Sequence, residues 1–275
     1  APYLFDTFNR GQVFGRDAYT FWTAGRVLLE QGGPESVYDN ATFSLYQATL
    51  AGDGIGWNPW FYPPTAYLPV ALMALMPWPV ALLVHTLSGL LAIVLAVGAP
   101  RFERPVLLLL VAAPMTCFNL IMGQNGLICA ALLIGGLRLV SHRPALAGIL
   151  FGLLAFKPIF GILIPLLVLI RRDWTAFLSA AATATTGALL PVAIWGAEVW
   201  PLFLSEAIPQ QQDVLHRSVG IGTLMVPSAF NSARIAGLDT VGSYLVHALF
   251  AVAALTIFLR HFVRRRHLRS LPLST

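Results

Sequence analysis

The chain has 275 residues, of which 57% are hydrophobic and 11% charged, with a formal net charge of +5. A soluble domain carries about 25% charged residues, so this composition excludes an ordinary water-soluble fold and places the chain in a bilayer. The positive charge sits in short clusters between apolar segments, which speaks for membrane orientation and anionic lipid, not for nucleic acid.

The clusters Arg101/Arg104, Arg138/Arg143, Arg171/Arg172 and Arg260 through Arg269 all follow apolar segments. The positive-inside rule makes them cytoplasmic. Of the 12 acidic residues only Glu103 and Asp173 accompany them, which leaves ten on the extracytoplasmic side. Cys117 and Cys129 lie in apolar stretches and read as small core residues, with no disulfide and no metal site. The chain starts at Ala1 in polar, aromatic sequence without a signal peptide. A transmembrane or signal segment is expected to precede it.

Residues 1–65 read as an extracytoplasmic loop with helices lying at the interface. Asp17 can cap a helix over 18–30 that Gly32-Gly33 stops. Tyr19, Trp22 and Arg26 share one of its faces. A second helix runs from Asn40 or Ala41 to Leu50, with Phe43, Tyr46 and Leu50 as its apolar stripe. The run Trp57-Asn58-Pro59-Trp60-Phe61-Tyr62-Pro63-Pro64 re-enters the bilayer without regular helix, because its prolines forbid one. Residues 66–195 read as transmembrane helices: a short piece at 65–76, a full span at 78–98, an outward segment at 105–121 and an inward one at 127–140. The 145–170 stretch holds Lys157-Pro158 at its centre and reads as a re-entrant pair of short helices. Each would reach only ~18 Å, so the turn sits at membrane depth beneath an outer cavity. A span at 174–195 leads to a second extracytoplasmic loop at 196–238, and 239–275 supply the last helix (241–260) and a basic tail. The fold class is all-α, a polytopic helical membrane protein with re-entrant and interfacial helices.

Several residues can carry chemistry. Asp17 is either a plain helix cap or a carboxylate base at the membrane surface, beside aromatics that can hold a sugar ring. Lys157, a cation in a long apolar stretch, either snorkels to the interface or meets an anion such as a lipid-linked phosphate. Gln124 and Asn125, between Gly123 and Gly126, form a turn or hydrogen-bond sugar hydroxyls. His216 and Arg217 belong to a solvated loop or contact phosphate, and Arg26 is a further cation for that role. Tyr62, Tyr19 and Trp22 are aromatic candidates for sugar or acceptor contact. His85, mid-helix, reads as a hydrogen bonder between helices.

The segment GRDAYTFWTAGRVLLEQGGPESVYD, then FYPP, MGQNGL and AGILFGLLAFKPIFGILIPLLVLIRRDW follow in that order. This pattern resembles the polyprenol-phosphate-mannose-dependent mannosyltransferases, glycosyltransferase family 87 of the type C membrane superfamily, over about 15–260. The resemblance implies inverting transfer of a hexose, typically mannose, from a polyprenyl-phosphate donor to a lipid or glycan acceptor. It implies the extracytoplasmic face of a multi-pass bacterial plasma-membrane protein. It also places the family's aspartate at Asp17 and its Gly-Gln-Asn and Lys-Pro elements at Gly123-Gln124-Asn125 and Lys157-Pro158. No cofactor is expected, and a cation can meet the leaving phosphate without a metal ion. The alternatives are a transporter or flippase for a lipid-linked or polar solute, and a non-catalytic subunit that binds prenyl lipid.

Overall fold

The computed structural model describes residues 14–30, 33–51, 58–98, 108, 111–217, 226 and 228–270. Asp6, the expected stop at Gly32, Trp57 and the Arg101/Arg104 cluster lie outside the described residues. The described chain is all-α, and no strand occurs in it. Among the described residues, three helices are long and apolar enough to cross a membrane: Trp78–Val97, Trp174–Trp195 and Thr240–His261. The chain divides into two compact units, 1–165 with 173–208, and 166–172 with 209–275.

In the first unit, α1 (Arg16–Glu30), α2 (Pro34–Tyr38) and α3 (Asn40–Ala51) precede a tight turn at Pro64–Ala66 and α4 (Tyr67–Ala74). The helix α1 starts two residues earlier than the sequence predicts, because Gly15 takes a left-handed turn (φ 79°) and its N–H donates to the Ile121 carbonyl at 3.0 Å. Asp17 therefore lies inside the first turn. At α3 the cap is Asp39, whose carboxylate accepts from Thr42 N–H at 2.7 Å. Then follow α5 (Trp78–Val97), α6 (Pro114–Met122), α7 (Gly126–Leu139) and α8 (Pro144–Leu153). Pro77 and Pro114 mark helix starts, where a missing N–H costs nothing. Left-handed Gly98 and Gly123 end α5 and α6.

The 145–170 stretch is broken where Lys157-Pro158 predicts it. After α8 the chain makes two short 3-10 turns on either side of Lys157, then α9 (Ile164–Arg171). Pro158 bars its predecessor from the helical region, and Lys157 takes φ −142°, ψ 72°. Helix α10 (Trp174–Trp195) is capped by Asp173, which accepts from Ala176 N–H at 3.4 Å.

An aromatic core knits α1–α4 together. Tyr19 meets Trp78 edge-on at 5.0 Å, Trp22 donates to the Met76 carbonyl at 2.9 Å, and Trp195 donates to the Leu28 carbonyl at 3.1 Å. Two crossings bring backbone against backbone. A Cβ at Gly25 would run into the Val70 carbonyl of α4. On α8, a Cβ at Gly152 would lie 2.6 Å from both the Ala180 carbonyl and the Thr183 Cβ of α10, and Gly148 faces the Ala176 carbonyl in the same way. Small residues of this kind let membrane helices pack at short range.

The expected loop at 196–238 is largely helical: α11 (Val199–Leu202), a π turn at Phe203–Ala207, α12 (Ile208–Arg217) and α13 (Ala229–Ile235). In the second unit, Ser228 caps α13 through Asn231 N–H at 3.1 Å. The last helix, α14 (Thr240–Ser270), packs on α13 and continues through the basic run beyond the predicted 241–260. Arginine is a strong helix former, so that run has no local reason to stop the helix.

Candidate functional site

The site begins where α1 meets the turn between α6 and α7. Left-handed Gly123 (φ 67°) lies so close to Ala18 that a Cβ there would be 2.6 Å from that residue's Cβ. The Gln124 N–H closes the turn on the Asn119 carbonyl at 2.8 Å. This contact puts the Gln124 amide on Asp17, where its Nε2 donates to Oδ2. On the other oxygen, Asn58 Nδ2 donates to Asp17 Oδ1 at 3.4 Å. A carboxylate only accepts, so both amides must present nitrogen and their orientation is settled. Burial pushes the Asp17 carboxyl above the usual aspartate range, while the Arg16 guanidinium, the Asn58 amide and the Lys157 ammonium pull it back.

Asn125 and Lys157 extend the cluster. Lys157 Nζ donates to Asn125 Oδ1 at 2.9 Å, and Asn125 Nδ2 donates to the Tyr62 hydroxyl at 3.0 Å. The ammonium also lies 5.5 Å from the Tyr62 ring centre and 5.6 Å from that of Phe160. An ammonium has no acceptor, so the polarity of this chain is forced from Lys157 outward. Tyr62 accepts from Asn125, and its own O–H proton has no acceptor among the described residues. Thr65 ties the break to this site by donating to the Ala155 carbonyl at 2.9 Å. From mid-α5, His85 Nε2 sits 3.4 Å from the carbonyl of Gln124, in the turn between α6 and α7 and not on a second helix as expected.

Beside this cluster lies a cavity of about 290 Å³. Tyr62, His85 and Asn125 form its polar edge, and Phe21, Trp60, Met73, Ile128, Leu132 and Leu153 belong to its largely apolar wall. Carboxylate, ammonium and apolar cavity thus stand together in one compact unit.

Asp17, Gln124, Asn125, Tyr62 and Lys157 are brought together by these bonds. Tyr19 and Trp22 are not among them: both are buried in the aromatic core. Arg26 pairs with Glu30 at 2.6 Å and covers the Trp22 ring at 5.6 Å. His216 and Arg217 belong to the second unit, where His216 Nε2 is 2.7 Å from the Tyr244 hydroxyl and exposed Arg217 pairs with Asp213 at 2.6 Å. Asn58, Thr20 and Gln47 are the polar residues that sequence reasoning missed. Asn58 Nδ2 also meets the Thr20 hydroxyl, and Gln47 Nε2 donates to Thr20 Oγ1 and to the Asn58 carbonyl, both at 3.3 Å.

A helical membrane protein with a half-buried, amide-held carboxylate near a lysine at a broken helix has the makings of a membrane-embedded transferase. Residues 60–274 match the model of glycosyltransferase family 87, and the chain belongs to that family. It is therefore a membrane glycosyltransferase. The matched span includes Tyr62, Gln124, Asn125 and Lys157, while Asp17 precedes it. No curated protein and no solved structure matches the chain.

Proposed function

We propose that the protein transfers a hexose, mannose in the first instance, from a polyprenyl-phosphate donor to a hydroxyl of a lipid or glycan acceptor. The reaction takes place at the extracytoplasmic face of a bacterial plasma membrane, with inversion at the sugar's anomeric carbon. The observation that carries this reading is the placement of Asp17 and Lys157 in one polar cluster beside an apolar cavity. Asp17 takes the acceptor's hydroxyl proton as its oxygen attacks the anomeric carbon. The bond from that carbon to the donor phosphate breaks, and the phosphate leaves with the bonding pair. Lys157 meets the charge that develops on it, and so needs no metal ion in this role. One base suffices for direct displacement, so the paired carboxylates of a glycosidase are not required.

The apolar cavity offers the first part of a prenyl chain a dry wall next to the phosphate. Tyr62, with its proton unspent, donates to a phosphate or sugar oxygen. The test is transfer of radiolabelled mannose from polyprenyl-phosphate mannose in membranes that carry the protein. Transfer that requires Asp17 supports the reading. No transfer from any polyprenyl-phosphate hexose, with the protein folded in those membranes, refutes it.

A further inference from the structure

The Asp17 carboxylate is held from two sides by neutral amides, and the second of them is supplied by a residue outside the motifs that carry the family resemblance. Asn58 follows the 14–51 helices and lies 41 residues from Asp17. Its Nδ2 faces three oxygens at once: Asp17 Oδ1 at 3.4 Å, the Arg16 carbonyl at 3.5 Å and the Thr20 hydroxyl. Two of these are pure acceptors, so the amide cannot turn over. Behind it stands Gln47, 1% exposed, whose Nε2 reaches both the Asn58 carbonyl and Thr20 Oγ1. Burying a glutamine on an otherwise aromatic core face costs desolvation unless its hydrogen bonds are used. Here the Nε2 bonds hold the Asn58 carbonyl and, through Thr20, the Asn58 amide, while Gln47 Oε1 has no partner among the described residues.

We propose that Asn58, braced by Gln47 and Thr20, is a positioning residue that with Gln124 fixes the plane of the Asp17 carboxylate and leaves its remaining lone pairs for the acceptor hydroxyl. The inference rests on the assignment of Asp17 as the base. A carboxylate offers about four acceptor directions, and two amides occupy two of them. Neutral donors hold the anion without cancelling its charge, which a base must keep. A cation in the place of Asn58 would hold it as well and make it a weaker base.

The charged groups acting on the carboxylate are Arg16 on its own helix and Lys157 from the helix break. Tyr62, His85 and Cys129 are the other titratable side chains on that side; the Cys129 thiol faces Asn125 Oδ1 at 4.0 Å, and the His85 ring is turned to the Gln124 carbonyl. Glu30, at the far end of α1, is engaged by Arg26. None of these changes when Asn58 is replaced.

The experiment compares Asn58→Ala, Asn58→Asp and Asp17→Asn in the full chain, reconstituted in lipid. Infrared difference spectroscopy identifies the Asp17 carboxyl band as the one missing from Asp17→Asn, and its titration is followed in each variant. Transfer from radiolabelled polyprenyl-phosphate mannose is measured across pH in parallel. In Asn58→Ala the band titrates at higher pH than in wild type. The acid limb of kcat moves up with it, kcat falls about tenfold to a hundredfold and donor KM stays. Asn58→Asp has the same size and the opposite polarity, and moves the band further up. A band that titrates as in wild type overturns the proposal, as does a rate loss uniform across pH. If Asn58→Ala loses its cooperative melt, Asn58→Ser carries the same readout. If Asp17→Asn retains transfer, the assignment of the base fails, while the band titration still decides whether Asn58 holds the carboxylate.

Discussion

Replacing Asp17 by asparagine separates the chemistry of the carboxylate from its place in the fold. Asparagine keeps the size and loses one acceptor. The Asn58 amide cannot turn, because its nitrogen also faces the Arg16 carbonyl and Thr20, so the new side chain keeps its oxygen on that side. Its nitrogen then points at Gln124, whose amide rotates to present oxygen. The network closes again and the variant folds. What it lacks is a base. General base catalysis is worth about 10²–10⁴-fold, or about 2.7–5.4 kcal/mol of barrier, and transfer from a labelled polyprenyl-phosphate donor falls by that factor while donor binding persists. Stability moves the other way. Burial raises the folded-state pKa of Asp17, so its favourable contribution holds below the unfolded-state pKa and is lost as pH rises through the raised one. At neutral pH the wild type carries the cost of a buried charge and the asparagine variant does not. The variant therefore melts higher at neutral pH, and the difference shrinks toward acid. Full transfer by a folded asparagine variant refutes the base, and a melting difference independent of pH refutes the burial argument.

Four more outcomes are expected. Lys157→Ala raises the donor KM about tenfold to a hundredfold, the worth of a charge-assisted hydrogen bond, and a donor titration that matches wild type returns Lys157 to a snorkelling role. Tyr62→Phe removes the hydroxyl, both the acceptor for Asn125 and the free donor, with little change in volume, and lowers kcat/KM by up to about tenfold, while an unchanged value leaves that hydroxyl with no part in transfer. Gly152→Ala drives a methyl into α10 and lowers stability by about 1–3 kcal/mol, read as an earlier melt in detergent. In a Cys117→Ser background, a cysteine at position 216 is labelled from outside and one at 142 is not; labelling at 142 alone inverts the orientation.

The sequence shows most helices because glycine and proline punctuate them: Pro77, Gly98, Pro114, Gly123 and the Lys157-Pro158 break all fall at element boundaries. Gln124 and Lys157 stood out because polar residues inside apolar runs are costly. Asn58 did not, since it sits in a run of aromatics and prolines whose composition accounts for the whole segment. Its role depends on a contact 41 residues away that no periodicity records. Gln47 is hidden for a similar reason, on an interfacial helix whose sequence pattern shows only the apolar stripe Phe43, Tyr46 and Leu50. Tyr19 and Trp22 share a helix face as the spacing predicts, but spacing does not say what the face meets, and it meets Trp78 and Met76. Conversely, the polar run Gln210-Gln211-Gln212-Asp213 makes the 196–238 stretch read as a loop, although the helix Ile208–Arg217 lies across it.

The two glycine seams bear on how the cavity can change shape. Its wall draws on α4 and α8, and each is held at backbone contact by a neighbour, α4 by Gly25 of α1 and α8 through Gly148 and Gly152 by α10. With backbones already touching, neither helix can step back to admit a bulkier occupant. The space must be found by side chains, and Met73, with an unbranched thioether on α4, is the wall residue with the most rotational freedom. Divergence in what this cavity accepts would therefore proceed by exchanging side chains such as Met73, Leu132 and Leu153 on a fixed frame, leaving the distance from the cavity to Asp17 untouched.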